Sequence, residues 1–141
     1  MNGLIHSEYP RETADYTHAG EASADIKRQL KQLGVSANVM RRVAVASYEV
    51  ELNLVIHSLG GQLTLDVDAN GVWLVSQDVG PGIPDISMAM REGYSTASEE
   101  ARSLGFGAGM GLPNMKRNAD EFDIQSELGK GTRISMRFRL A

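Results

Sequence analysis

The 141-residue sequence contains no cysteine. Disulfides and thiolate-held metals are thereby excluded, and a reducing compartment such as the cytosol is permitted. No apolar run approaches the roughly 20 residues needed to span a bilayer. The first 20 residues are polar and lack the apolar centre of a secretory leader. Neither membrane insertion nor export is therefore expected. Basic charge is not in excess either: 14 Lys and Arg stand against 18 Asp and Glu, a formal net charge of −4. Such a chain has no electrostatic case for a nucleic-acid partner. Its one local basic row, Arg133, Arg137 and Arg139, reads as the solvated face of a strand. No repeat, low-complexity stretch or linker divides the chain. What is present is ordinary for a globular protein: 42% hydrophobic and 23% charged residues. The length suits one domain with one core over residues 1–141, with residues 1–15 flexible or forming an edge strand.

Ala22, Ile26, Leu30 and Leu33 make one helical stripe, so a helix is expected from Glu21 to Leu33, stopped by Gly34. Ser36 can cap a second helix from about Ala37 to Ser58, with Val39, Val43, Ala46, Val50 and Leu54 on one face. Leu63, Leu65 and Val67 then alternate with polar residues. Asn70-Gly71 suggests a tight hairpin turn, and Val72 to Ser76 returns as the next strand. The chain from Asp78 is irregular and glycine-rich except for a short helix near Ile86 to Arg91. A further helix is expected from Gly111 to Ala119. The last hairpin has Phe122, Ile124 and Ser126 on one arm and a turn over residues 128–131. Ile134, Met136, Phe138 and Leu140 alternate on the other arm. Strands that arrive as hairpins predict a mostly antiparallel sheet. With helices on one face, the fold class is α+β, a two-layer sandwich.

Three segments carry chemistry. Glu49 and Asn53 lie four residues apart on the long helix, hence about 40° apart on its surface and one turn up. An amide oxygen there can hold Mg²⁺, a cation that favours oxygen ligands and bridges phosphates. A carboxylate one turn below can orient or deprotonate a nucleophile. Asp78 ends an apolar strand and leads into Gly80-Pro-Gly82. Its carboxylate can accept from an exocyclic amine such as adenine N6, while the glycines let backbone approach a flat ring. From Gly105 to Gly111 every second residue is glycine, which is neither a helix nor a strand pattern. It fits a loop whose amides face an anion and which leads into a helix N-terminus. The segment is not a Walker loop, which needs Gly-Lys-Ser/Thr, nor a Rossmann fingerprint, since no strand-turn-helix precedes it.

In this order and spacing, followed by Gly129-Lys-Gly131-Thr132 on a hairpin, the segments resemble the superfamily of gyrase, histidine kinases and mismatch-repair ATPases. Within it the short chain is similar to the anti-sigma regulatory factors, the serine kinases of sporulation and stress-response switches. The likeness runs from about Glu21 to Leu140. It is closest over Asp78 to Pro84, Glu92 to Thr96 and Gly109 to Lys116. It implies the histidine kinase-like ATPase (Bergerat) fold, with ATP and Mg²⁺ as cofactors. Asn53 would hold Mg²⁺ and Glu49 would be the catalytic base. Asp78 would read adenine, with Gly80 and Gly82 beside the ring and Thr132 backing that contact. Gly107, Gly109 and Gly111 would line the phosphates, with Gly105, Met110 and Leu112 in the same nucleotide-binding set. Ser95 and Thr96 would reach phosphate from the lid, and Lys116 and Arg102 are further phosphate contacts. His57, one turn past Asn53, reads as a pocket-wall or helix-end residue.

The lid from Asp85 to Leu104 is short for the large dimeric ATPases. No helix with a phospho-accepting histidine stands upstream, so a complete sensor histidine kinase is not expected. The resemblance implies a serine protein kinase acting on a STAS-domain anti-anti-sigma protein, or binding a sigma factor, and is compatible with a homodimer. The other reading is a non-catalytic module that uses ATP to gate a sigma factor or a phosphatase. A carboxylate at position 49 favours the first.

Overall fold

The computed structural model of the chain describes residues 5–11, 16–56, 60–80, 86, 90 and 111–140. The first helix, α1, spans Glu21–Gln32 and buries Ala22, Ile26 and Leu30. Leu33, expected on the same stripe, is 41% exposed. The chain leaves α1 by a Schellman closure. Val35 N–H donates to Leu30 O and Gly34 N–H to Lys31 O, both at 3.1 Å, with Gly34 at φ 76°. Leu33 is the C-cap, still helical and bonded to Gln29 O, and Val35 beyond the turn packs against the core.

Helix α2 spans Ala37–Ile56. Ser36 caps it as its position suggests, its hydroxyl accepting Val39 N–H at 3.4 Å. Val39, Val43, Ala46, Val50 and Leu54 are all buried. Each Val or Leu in that row stabilises the fold by about 1.5–3 kcal/mol relative to exposure.

The N-cap of α1 is Gly20, whose residue type offers no capping side chain. The acceptor comes from α2 instead. Glu51 is fully buried, and its carboxylate accepts Ala22 N–H at 3.0 Å and Ser23 N–H at 3.2 Å. Its counter-ion is Arg11, whose Nε lies 2.9 Å from Glu51 Oε2. One side chain thus ties α1, α2 and the N-terminal strand together.

Five strands form one sheet: β1 Ile5–Arg11, β2 Gly61–Val67, β3 Gly71–Asp78, β4 Glu121–Glu127 and β5 Gly131–Arg139. Their order is β1-β2-β3-β5-β4, and every neighbouring pair is antiparallel. Helix α3, Gly111–Asn118, precedes β4. Leu63, Leu65 and Val67 of β2, Val72 and Leu74 of β3 and Ile134, Met136 and Phe138 of β5 turn inward. There they join α1, α2 and Met115 of α3 in one core. The result is the expected α+β two-layer sandwich.

The β2–β3 turn differs in detail from the expected Asn70-Gly71 pair. Val67 pairs with Val72, and the Asp68 carboxylate closes the turn, accepting Asn70 N–H at 2.7 Å and Gly71 N–H at 3.2 Å. Gly71 is the first strand residue, held against Arg139 of β5. Of the short helix expected near Ile86 to Arg91, the described residues hold one bond, Met90 N–H to Ile86 O at 3.0 Å. In the basic row, Arg133 and Arg139 are exposed, while Arg137 stacks 5.3 Å from the Trp73 ring centroid. Among the described residues no helix is long and apolar enough to cross a membrane.

Candidate functional site

The candidate side chains among the described residues gather at two places. The first lies where β3 ends. Asp78 is half-buried, and its Oδ1 accepts Thr132 N–H at 2.8 Å from β5. Among the described residues its Oδ2 accepts no hydrogen bond. Thr132 is buried, and its hydroxyl sits 2.9 Å from the Ser126 hydroxyl of β4. Burial pushes the Asp78 carboxyl above its ordinary range, and the Thr132 amide pulls the other way. The strands close tightly here. A Cβ on Gly131, at φ 131°, would stand 2.2 Å from Asp78 O, and one on Gly61 would stand 2.7 Å from Asp78 Cα. Gly80, two residues on, is buried.

The second place lies between α2 and α3. Glu49 and Asn53 share the α2 face that meets the start of α3. A Cβ on Gly111 would lie 3.2 Å from Glu49 Oε2 and 3.5 Å from Asn53 Oδ1. Two oxygens from consecutive turns therefore converge on the N-terminal residue of α3. Pro113 falls in the first turn, where its missing N–H costs no intrahelical bond. Glu49 is half-buried; burial raises its carboxyl above the usual range, and the Asn114 amide works against that. The donor set is all hard oxygen, which suits Mg²⁺ shared with phosphate and water, and the adjacent helix N-terminus suits anionic oxygens.

Glu49 also lines a groove of about 520 Å³ with Lys27 of α1 and Met40, Ala44, Val45 and Tyr48 of α2. The Glu49 side chain can thus be approached along the outside of the helices.

Residues 38–141 match the family model of the histidine kinase-, DNA gyrase B- and HSP90-like ATPases. The chain belongs to this family. It is similar to the serine/threonine-protein kinase RsbT of Bacillus subtilis (strain 168), 35% identical over 108 residues that cover 74% of this chain and 75% of that protein. It is also similar to the anti-sigma F factor of Thermoanaerobacter sp. (strain X514), 32% identical over 110 residues, 74% of this chain and 73% of the other. The anti-sigma F factor of Clostridium kluyveri (strain ATCC 8527 / DSM 555 / NBRC 12016 / NCIMB 10680 / K1) is 30% identical over 121 residues, 82% of each chain.

In this histidine kinase-like ATPase the sequence-derived residues fall into four sets. Asp78, Gly80 and Thr132 are grouped at the end of the sheet, and Glu49, Asn53 and Gly111 at the helix pair. Leu112 and Lys116 are on α3, where Leu112 buries its side chain in the core and Lys116 is exposed. Gly82, Ser95, Thr96, Gly105, Gly107, Gly109 and Met110 lie outside the described residues, as do Arg102 and His57. Sequence reasoning gave no role to Asn114, which touches Glu49, or to Ser126, which touches Thr132. Asn114 stands three residues past Gly111, and that helical spacing was the available signal. Ser126 pairs with Thr132 across the last hairpin, so the strand register would have found it.

Proposed function

We propose that this chain is an ATP- and Mg²⁺-dependent serine protein kinase of a bacterial partner switch, acting in the cytoplasm on a STAS-domain protein. The observation that carries the reading is the convergence of Glu49 Oε2 and Asn53 Oδ1 on the first residue of α3. The relatives' names, a serine/threonine-protein kinase and anti-sigma F factors, support the same class.

Adenine lies at the sheet end, its exocyclic amine donating to Asp78 while Thr132 steadies that carboxylate. The phosphates lie toward the N-terminus of α3, whose free N–H groups and partial positive charge favour them. Asn53 would hold Mg²⁺, which when bound neutralises charge on the phosphates. The acceptor serine enters beside Glu49. Its Oγ forms a bond to the γ-phosphorus as the bond from that phosphorus to the bridging oxygen breaks. ADP leaves with that electron pair, and the hydroxyl proton passes to Glu49. The protein's part is mainly positioning and charge stabilisation.

The test is radiolabel transfer from γ-labelled ATP to serine of a STAS-domain protein encoded nearby. Labelled phosphoserine is the expected product. The relatives named anti-sigma F factor favour a second reading, an ATP-gated hold on a sigma factor. ATP-dependent binding of partners with no transfer to any of them would establish it in place of the kinase.

The nucleotide roles make a separate prediction. Asp78→Asn keeps the size and the acceptor for Thr132 N–H, but turns a donor toward the adenine amine. It should weaken ATP binding by about 1–3 kcal/mol, five- to 150-fold, and narrow the preference for ATP over GTP. Calorimetry with both nucleotides measures this, and unchanged ATP affinity removes Asp78 from the site. In the same titrations Asn53→Ala should fold, since a helix accepts Ala, and should bind ATP equally with and without Mg²⁺. A Mg²⁺ response like that of wild type takes the metal role from Asn53.

A further inference from the structure

The two oxygens of Glu49 have different surroundings. Oε2 faces the start of α3 and is the oxygen on the Asn53 side. Oε1 faces the side-chain amide of Asn114, whose Nδ2 donates to it at 3.5 Å, the long end of hydrogen-bonding range. The Asn114 amide is itself oriented. Its Oδ1 accepts from Arg117 Nη1 at 3.3 Å, so the NH₂ end is the one that turns to Glu49. The reverse orientation would set an amide oxygen against a carboxylate.

Asn114 is also fixed in space relative to α2. Arg42 of α2 donates from Nε to Asn118 O at 2.9 Å, and its Nη2 lies 3.0 Å from Asp120 Oδ1. Asp120 Oδ2 accepts Arg139 N–H at 2.7 Å, tying the end of α3 to β5. In the antiparallel pair of helices, Arg42 holds one end of α3 while Gly111 abuts Glu49 at the other. Asn114 stands one turn from Gly111 on the face toward α2. The terminal torsion of a glutamate is broad, so without a partner the plane of its carboxylate swings freely.

We propose that Asn114 is a positioning residue for phosphoryl transfer: its amide holds Glu49 Oε1 and thereby fixes the carboxylate plane with an oxygen facing Gly111 and Asn53, where it receives the serine proton. The assignment rests on Glu49 being the base. Asn114 touches the base and not the reacting atoms, so its effect belongs in turnover and not in nucleotide affinity.

The experiment is a double-mutant cycle between Asn114→Ala and Glu49→Gln, read by steady-state transfer to the STAS-domain protein and by ATP calorimetry. Asn114→Ala should lower kcat roughly tenfold, on the scale of a misplaced catalytic group, with KM for ATP and calorimetric affinity within twofold. In the Glu49→Gln background the same substitution should change kcat less than twofold, because no base remains to orient. Asn114→Asp, nearly the same shape but without the donor, should lower kcat at least as far as Asn114→Ala.

A general structural weakening would instead lower kcat in both backgrounds alike and raise KM, and that additivity overturns the inference. If Glu49→Gln lowers transfer while Asn114→Ala and Asn114→Asp leave it unchanged, the positioning role fails and the base role stands. If Glu49→Gln transfers at the wild-type rate, or wild type transfers nothing, the base reading fails and this inference falls with it.

Discussion

Glu49→Gln is expected to leave ATP affinity within a few-fold of wild type while phosphoryl transfer falls by about 10²-fold or more, the usual scale of general-base catalysis. A base acts on the serine proton in the transition state and contributes little to holding ATP, so kcat and affinity should separate. The variant keeps the side-chain length and an acceptor for the Asn114 amide, so its fold should be intact. It should also trap the complex of protein, ATP and partner. Stability gives a second readout. The folded carboxyl of Glu49 is raised above its unfolded value by burial. A raised carboxyl pKa makes the group's contribution most favourable below the unfolded value, and that contribution is lost as pH rises through the folded one. At neutral pH the ionised group therefore costs stability, and Glu49→Gln should melt above wild type, a gain obtained by discarding activity. Transfer at the wild-type rate would take the base role from Glu49. A melting temperature below wild type would contradict the stated effect of its burial.

Arg11→Met should cost about 3–5 kcal/mol, the scale for removing one partner of a buried ion pair. Arg11 Nε is 2.9 Å from a carboxylate with no solvent exposure, and Arg11 itself is 13% exposed. Without the guanidinium, Glu51 keeps its two amide donors at the start of α1 but loses its counter-ion. A loss of that size lowers the melting temperature of a chain this long on the order of 10–15 °C. Urea unfolding measures it directly, and a change below about 1 kcal/mol would mean that Glu51 does not depend on Arg11. Replacing both, as Arg11→Met with Glu51→Leu, removes the ion pair but strands the N–H groups of Ala22 and Ser23. It should therefore not restore full stability, since each stranded buried donor costs about 1–3 kcal/mol.

That pair also marks the limit of reading this chain by local pattern. The interior row of α2, the Ser36 cap and the glycine end of α1 are all set by neighbours within a few residues, and they were legible. The alternation of Ile134, Met136 and Phe138 was legible for the same reason. β1 was harder. Pro10 cannot donate to a ladder and argues against a strand, and it is tolerated here because β1 is an edge strand. No local pattern marks Glu51 as a cap, since the amides it caps lie 28 and 29 positions away. Leu33 matched the helical period but is the C-cap within the closing turn, and Val35 packs against the core in its place. In the site, Glu49 and Asn53 could be paired by helical spacing and Asp78 by its place at a strand end. That Gly111 closes on Glu49 and Asn53, and Thr132 on Asp78, follows from tertiary packing and strand register.

The close approach of β2 and β5 to Asp78 bears on how this corner of the molecule tolerates change. Gly61 and Gly131 flank the aspartate on neighbouring strands, and a methyl group on either would overlap its backbone. The aspartate side chain, by contrast, can be exchanged for another of its size without moving the main chain. Two positions with no chemistry of their own are therefore less replaceable than the acid between them. Substitution has freedom at residue 78 and almost none in the slot that holds it.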